Sequence, residues 1–443
     1  MWSQYLRTRE RNGIVAIFHE LHPDPVYCSK EQWKKVVAGI TDGAPAFIDV
    51  LRQRKLVIDS SEDDRSEFQT VSTALEHKLN QPTILYLMTA QGCNFNCGYC
   101  PVPEIARKYG ESMLSMEDAY AGIDLWQEHI RDVYDPSHEY FVIFYGGEPL
   151  LNKPVIRRSL DYLNLKKDNG ELPEKTDFMI ATNGALVDEE TVALCNKYEV
   201  MVAVGLDGPK ASNDTLKVDS DGNGTFDRIV AAIQLLVKGG VRTFASTSIT
   251  PFNINQIDEY ADFFKGLGVE KFGFNFLKGR LLLRLVGKDN LDSYYRQASR
   301  GIVEQVRKQG DSGFEYQMEK KQVAFDRQDF FPVDCTCYGN QLVIQPDGQI
   351  SNCPFYKAWL GHVSEVGNGF RIWNQQIVSE WRKRLPLYHP GEAKAMCGGG
   401  CAWGSNELKG SPLAVDDSSQ IFSEEVLNEL IWSRYDRAES QKA

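Results

Sequence analysis

The chain has no apolar run approaching the roughly 20 residues a membrane span needs; stretches such as "MVAVGL" and "FVIFY" are far shorter. Its basic start, "MWSQYLRTRERNG", is followed by no apolar h-region, which argues against a secretory signal. Positive charge is in deficit. The 49 Lys and Arg face 61 Asp and Glu, a net charge of −12 that disfavours a protein gripping a nucleic-acid backbone. The seven histidines form neither an HxH nor an HxxxH pair, so none stands out as a catalytic residue or metal ligand. No repeat is visible beyond strand–helix units. What remains is an ordinary soluble composition, 42% hydrophobic and 25% charged, in a 443-residue chain long enough for two or three domains. Ten cysteines without a secretory signal read as reduced, cytoplasmic thiols, and the clustered ones suggest metal.

Residues 1 to about 75 read as a small module. "GIVAIFHEL", "PVYCS" and "LVID" suggest strands. Ser29 and Gln32 form a capping-box pattern, and Trp33, Val36, Val37 and Ile40 give the helix that follows one apolar face. "PAFIDVLRQRK" suggests a second helix, and the acidic "DSSEDDRSEFQ" (59–69) a solvated linker. From residue 82 the rhythm changes. Six short apolar strands ("TILYLM", "YFVIFY", "DFMIAT", "VMVAVGL", "RTFASTSI", "KFGFNFL") alternate with helical patterns at 115–132, 188–199, 226–238 and 254–267. That alternation predicts parallel strands with helical crossovers, an open or partial barrel whose chemistry gathers at the strands' C-terminal ends. After residue 330, "QLVIQPDGQISNCPF" predicts a hairpin, and "SEEVLNELIWSRYDRAESQ" a terminal helix with Leu427, Leu430 and Ile431 on one side.

"GCNFNCGYC" places Cys93, Cys97 and Cys100 directly after the first barrel strand, with no His or fourth cysteine nearby. A structural zinc site closes with four N/S ligands, usually as two knuckles. Three thiolates on a four-iron cluster would instead leave one iron open to a small chelating molecule. With Phe95 and Tyr99 interleaved, CxxxCxxC resembles the signature of the radical S-adenosylmethionine (SAM) superfamily. Three further motifs fall where that family places them: "GGEP" (Gly146, Gly147, Glu148, Pro149), "TNG" (Thr182, Asn183, Gly184) and "LDGP" around Asp207, each after a successive strand. The resemblance covers roughly residues 82–410.

It implies a [4Fe-4S] cluster on Cys93, Cys97 and Cys100. SAM would be held by Tyr99, Gly146, Gly147, Glu148, Thr182, Asn183 and Asp207. It implies reductive cleavage of SAM to a 5′-deoxyadenosyl radical that abstracts a substrate hydrogen. The glycines let backbone approach a ligand, and Glu148 offers a carboxylate to an ammonium. One departure is notable: where many relatives carry serine two residues before the Asp of "DG", this chain has Gly205, so Ser246 or Ser248 is the expected substitute.

Towards the C-terminus, Cys337, Gly348 and Cys353 resemble the opening of the auxiliary-cluster extension called SPASM, and "CGGGCAW" its later CxxxC. Tyr388 and Gly391 stand near where a further CxxC belongs, and no cysteine follows Cys401. The resemblance therefore implies one auxiliary [4Fe-4S] cluster, as in the shorter Twitch version, with ligands drawn from Cys335, Cys337, Cys353, Cys397 and Cys401. A zinc knuckle is the alternative for that group. Cys28 and Cys195 read as inert core thiols.

The expected architecture is α/β: a partial (βα)6 TIM-like barrel (76–310) flanked by two other units. These are a winged-helix-like leader-recognition module (1–75) and a SPASM/Twitch-like domain (311–415), with a terminal helix (416–443). The module resembles those of maturases for ribosomally synthesised peptides, which points to a precursor peptide with its leader as substrate. The expected outcome is a crosslink, an epimerisation or a backbone excision of the splicease kind that removes tyramine. A reductant such as flavodoxin or ferredoxin is implied, with room for a peptide-presenting partner protein. The alternatives are an anaerobic sulfatase-type protein maturase and a non-enzymatic Fe–S or zinc scaffold. No general base is evident.

Overall fold

Asn12 and Gly13 both adopt positive φ, 50° and 76°, the backbone a two-residue hairpin turn requires. They join β1 (Leu6–Arg11) to β2 (Ile14–His19), and β3 (His22–Ser29) completes an antiparallel sheet in the order β1-β2-β3. In this computed structural model the described residues are 1–39, 45–309, 315–330, 333–356, 358–385 and 395–442. Three helices follow the small sheet: α1 (Lys30–Val37), α2 (Pro45–Gln53) and α3 (Ser61–Lys78). The Ser29 side chain accepts from the Gln32 amide, capping α1. Val37 is 53% exposed, and Ile40, expected on the same apolar face, lies outside the described residues.

Two expectations for this unit need correction. β1 is a strand although "LRTRER" carries charge at most positions, and "LVID" contributes only a single bridge, Val57 to Trp2. The run 59–69 is the start of α3 rather than a linker. Ser60 and Asp63 form a capping box, Asp64 is buried against Ser3 and Gln4, and Phe68 and Val71 pack on Tyr5. The acidic residues therefore suit the positive end of a helix, where the sequence pattern alone suggested solvation.

The barrel strands are β4 (Ile84–Ala90), β5 (Tyr140–Gly146), β6 (Thr176–Thr182), β7 (Met201–Gly205), β8 (Thr243–Ile249) and β9 (Lys271–Phe276). All five neighbouring pairs are parallel, as the strand–helix rhythm required. Val142, Phe144, Phe178, Ile180, Val202 and Val204 are buried towards the crossover helices. The alternate residues, among them Tyr86, Tyr145, Ala203, Gly205, Ser246, Ser248 and Gly273, are only half-buried and face an open lumen.

The C-terminal hairpin joins the same sheet. β10 (Gln341–Ile344) pairs in parallel with β4, and β11 (Ile350–Ser351) lies beyond it, giving the order β11-β10-β4-β5-β6-β7-β8-β9. The terminal helix runs from Asp417, beside its Asp416 cap, to Ser440. It ties the ends of the chain together. Tyr27 donates to the Ile431 carbonyl at 2.5 Å, and Arg434 pairs with Asp24 at 2.8 Å. Among the described residues, no helix is long and apolar enough to cross a membrane.

Candidate metal and cofactor site

Every barrel motif lands in a loop at the C-terminal end of its strand, and backbone contacts weld these loops together. Gly147 and Glu148 donate to the carbonyls of Ala90 and Gly92, at 2.9 and 3.0 Å. A Cβ on Gly146 would stand 2.3 Å from the Ala90 oxygen, and one on Gly147 2.1 Å from that of Gly92. Only glycine permits this approach. The cysteine loop is fastened on its other side too: Asn96 and Gly98 donate to the carbonyls of Val218 and Leu216, each at 2.8 Å.

The three thiols share one half-buried space. Burial pushes Cys93 up to about 11 and Cys97 up to about 12, and it raises Cys100 as well. Each of Cys93 and Cys97 senses Cys100. Asn183 reaches the Cys93 sulfur at 3.6 Å while donating to Asn94 at 2.8 Å. A surface cavity of about 610 Å³, lined in part by Cys93, Asn96, Arg107 and Glu111, opens on the solvent side of the loop.

The Glu148 carboxylate is fully buried and spent on protein. It accepts from the Leu150 amide (3.0 Å), the Thr182 hydroxyl (2.7 Å) and the Asn183 amide (2.8 Å). Here it clamps "GGEP" to "TNG" instead of standing open to an ammonium. Asp207 is equally engaged. It accepts from the Tyr99 hydroxyl and from the Ser248 amide at 2.9 Å, while its carbonyl takes the Tyr260 hydroxyl at 2.9 Å. Ser246 accepts from Asn275 at 2.9 Å on the lumen face.

Lys217 is the residue that sequence reasoning missed. Its ammonium lies 3.5 Å from Asp207 and 3.0 Å from where a Cβ on Gly205 would sit. The space left by the absent serine is filled by a buried cation, which also draws down Cys97 and Cys100 against the effect of burial. The departure at Gly205 was the available signal, since a missing side chain leaves room for another.

Of the five C-terminal cysteines, four come together. Cys337 senses Cys335, Cys353 and Cys401, and Cys353 senses Cys401 and Cys335. A hydrogen bond from Cys337 is the main influence lowering Cys335, and burial raises Cys337. Cys397 lines a cleft with Arg7, Arg9, Phe18 and Glu20. The glycines of "CGGGC" wrap two carboxylates. Gly398 and Gly400 donate to Asp334 (2.9 and 3.1 Å), and Cys401 donates to Asp416 (2.8 Å), which Lys278 neutralises at 2.7 Å. Tyr388 and Gly391 lie outside the described residues. Among the described residues, no three His, Cys, Asp or Glu side chains converge on a point where a single metal ion would sit. Cys28 and Cys195 are buried and raised by burial, as core thiols are.

Residues 87–264 match the family model of the radical SAM superfamily, and the chain thus contains a radical SAM domain. Among curated proteins it is 25% identical over 298 residues to the radical SAM cyclopropyl synthase TigE of Paramaledivibacter caminithermalis; the match covers 64% of this chain and 59% of that protein's length. It is 23% identical to a cysteine-type anaerobic sulfatase-maturating enzyme of Clostridium perfringens, covering 77% and 94%. Among solved structures, anSMEcpe with bound AdoMet superposes with a TM-score of 0.63 at 19% identity, over 81% of this chain and all of that one. SuiB of Streptococcus suis bound to its precursor peptide SuiA gives 0.54 at 15%, over 95% and 99%. At such identities these likenesses establish the fold: a radical SAM barrel in an α/β chain.

Proposed function

We propose that this protein is a radical SAM enzyme that modifies a ribosomally synthesised precursor peptide. The residues present suit the cofactors. Soft thiols share one half-buried space on a loop that Gly146 and Gly147 approach backbone to backbone, and a cationic cluster would draw off the protons that burial now favours on them. Cys93, Cys97 and Cys100 would hold one [4Fe-4S] cluster, leaving an iron for SAM. Cys335, Cys337, Cys353 and Cys401 supply four protein ligands for an auxiliary [4Fe-4S] cluster. When bound, these groups supply reductive cleavage of SAM and hydrogen-atom abstraction. The protein's own part is orientation. Tyr99, Asp207 and Lys217 form one buried group beside the cysteine loop and would fix its position.

The observation that carries the peptide reading is the N-terminal unit. A three-stranded sheet, whose outer strands β1 and β3 pair with no further strand among the described residues, and three helices are held to the barrel through the terminal helix, at a place where an extended leader could add as a strand. In keeping with this, SuiB overlays 95% of the chain, whereas anSMEcpe, itself fully covered, overlays 81%. These proportions favour a leader-dependent maturase over a sulfatase-type one. The domain limits 1–75, 76–310, 311–415 and 416–443 belong to this reading, with the first unit extended through α3.

The test is anaerobic reconstitution and reduction, followed by measurement of 5′-deoxyadenosine. Wild type should form it, and Cys97→Ala should not; a Cys97→Ala variant that still cleaved SAM would refute the site. Co-expression with a small peptide encoded beside the gene then reports the chemistry through mass. A loss of about two hydrogens indicates a crosslink, and a larger loss excision.

A further inference from the structure

Phenol hydroxyls that are enclosed by protein normally find a hydrogen-bond partner. Most of the enclosed tyrosines here obey. Tyr99 donates to Asp207, Tyr260 to the Asp207 carbonyl, Tyr294 to Ile249 and Tyr338 to Gly400. Among those that do not are Tyr5, buried in the N-terminal unit, and, beside the barrel, Tyr86 on β4, Tyr145 on β5 and Tyr316, at the start of the helix Tyr316–Arg327, whose hydroxyls have no hydrogen-bond partner among the described residues. The latter three keep solvent-accessible surface, Tyr316 as much as 53%. Tyr86 and Tyr145 occupy half-buried, lumen-facing positions of their strands, and Tyr316 stands beside Gly273 of β9.

Their positions relative to the cysteines are informative. Tyr145, immediately before Gly146, senses Cys93 and Cys100 from one set and Cys353 from the other. Tyr86 senses Cys335 and Cys353, and also Tyr145 and Tyr316. The Tyr86 and Tyr145 rings meet edge-on at 6.1 Å, Tyr145 meets Phe355 at 6.0 Å, and Phe355 meets Trp403 at 5.4 Å. One wall of the lumen is therefore a continuous aromatic surface carrying unpaired hydroxyls. The lumen-facing positions Ala203 on β7 and Ser246 on β8 carry only small side chains, which leave room for an occupant.

We propose that Tyr86, Tyr145 and Tyr316 grip the substrate. In this assignment their hydroxyls hydrogen-bond peptide amide groups, while the ring surface packs an aromatic side chain between the two cysteine sets. The assignment rests on the peptide-modifying reading above. It makes Tyr145, placed between both sets, the main determinant of which side chain is accepted.

The test uses the reconstituted full-length protein with N-acetyl-L-phenylalaninamide, N-acetyl-L-tyrosinamide and N-acetyl-L-leucinamide as probes, in equilibrium dialysis read by mass spectrometry. The two aromatic amides should bind several-fold tighter than the leucine amide. Tyr86→Phe and Tyr145→Phe, which remove one hydroxyl and keep the ring, should each weaken binding about 3- to 10-fold. Tyr145→Leu should erase the aromatic preference. Equal binding by the Phe variants and wild type, equal binding of leucine and phenylalanine amides, or no binding at all overturns the assignment. Failure of wild type to cleave SAM would instead sink the enzymatic reading, with the binding result still standing by itself.

Discussion

Replacing Lys217 by methionine removes one charge from a pair that water hardly reaches. The two side chains are 7% and 3% exposed, and the carboxylate left behind keeps the Tyr99 hydroxyl and the Ser248 amide but no cation. Breaking a buried pair from one side costs about 3–5 kcal/mol, and the two surviving donors place this case near the lower end, about 3 kcal/mol. Urea unfolding of the metal-free protein should show that loss. The double variant Lys217→Met/Asp207→Asn should recover most of it, because no charge is then stranded. Lys217 also draws down Cys97 and Cys100, so its loss should slow their alkylation by iodoacetamide at fixed pH. A single variant costing under about 1 kcal/mol, or a double variant no more stable than Lys217→Met, would refute the account of a cation installed in the space at Gly205.

Other consequences can be measured directly. Burial raises Glu315 to about 7, although the Met318 and Phe274 amides donate to it. A carboxyl raised on folding stabilises fully below its unfolded value of 4.5, and that contribution is lost as pH rises through about 7. Wild type should therefore lose about 3 kcal/mol across that window relative to Glu315→Gln, read as a shift in urea midpoint. Iron and sulfide analysis should show about half the cluster content lost in Cys353→Ser and Cys401→Ser but none in Cys397→Ser; equal loss in Cys397→Ser would place that thiol among the ligands. Gly147→Ala forces a Cβ to 2.1 Å from the Gly92 carbonyl, so the first cluster should fail to assemble while the auxiliary cluster is retained, as the absorbance of the reconstituted variant would report.

The barrel was legible because its signals are local and redundant. Each strand is a short apolar run ending in a motif, and the expected helix at 226–238 matches Phe226–Lys238. The cysteine loop was legible for the same reason, since its three thiols lie within eight residues. What escaped depends on distant partners. Charge disguised β1, though Asn12-Gly13 is a strong hairpin signal, and its arginines find their places only against Glu20, Phe18 and Asp436. Asp64 looks like a solvated residue until Ser3 and Gln4 are seen beside it. The buried bonds of Glu148 escaped because Thr182 and Asn183 come from the next strand's loop, and Lys217 escaped because it reaches back across the helix that follows β7 to Asp207. The nearness of Cys335, Cys337, Cys353 and Cys401 likewise needed the fold, since they come from distant points of the sequence.

The pairing of β10 with β4 bears on how the chain is made. Ile84 emerges from the ribosome early, but its edge partner Gln341 is synthesised roughly 250 residues later, on the order of 10–50 s at ordinary translation rates. Through that interval an apolar parallel strand carries an unpaired edge, the condition that invites wrong pairing. Expression yield should therefore depend more on chaperone supply and slow growth than on iron alone. Truncation before residue 341 should yield aggregate rather than an isolated barrel.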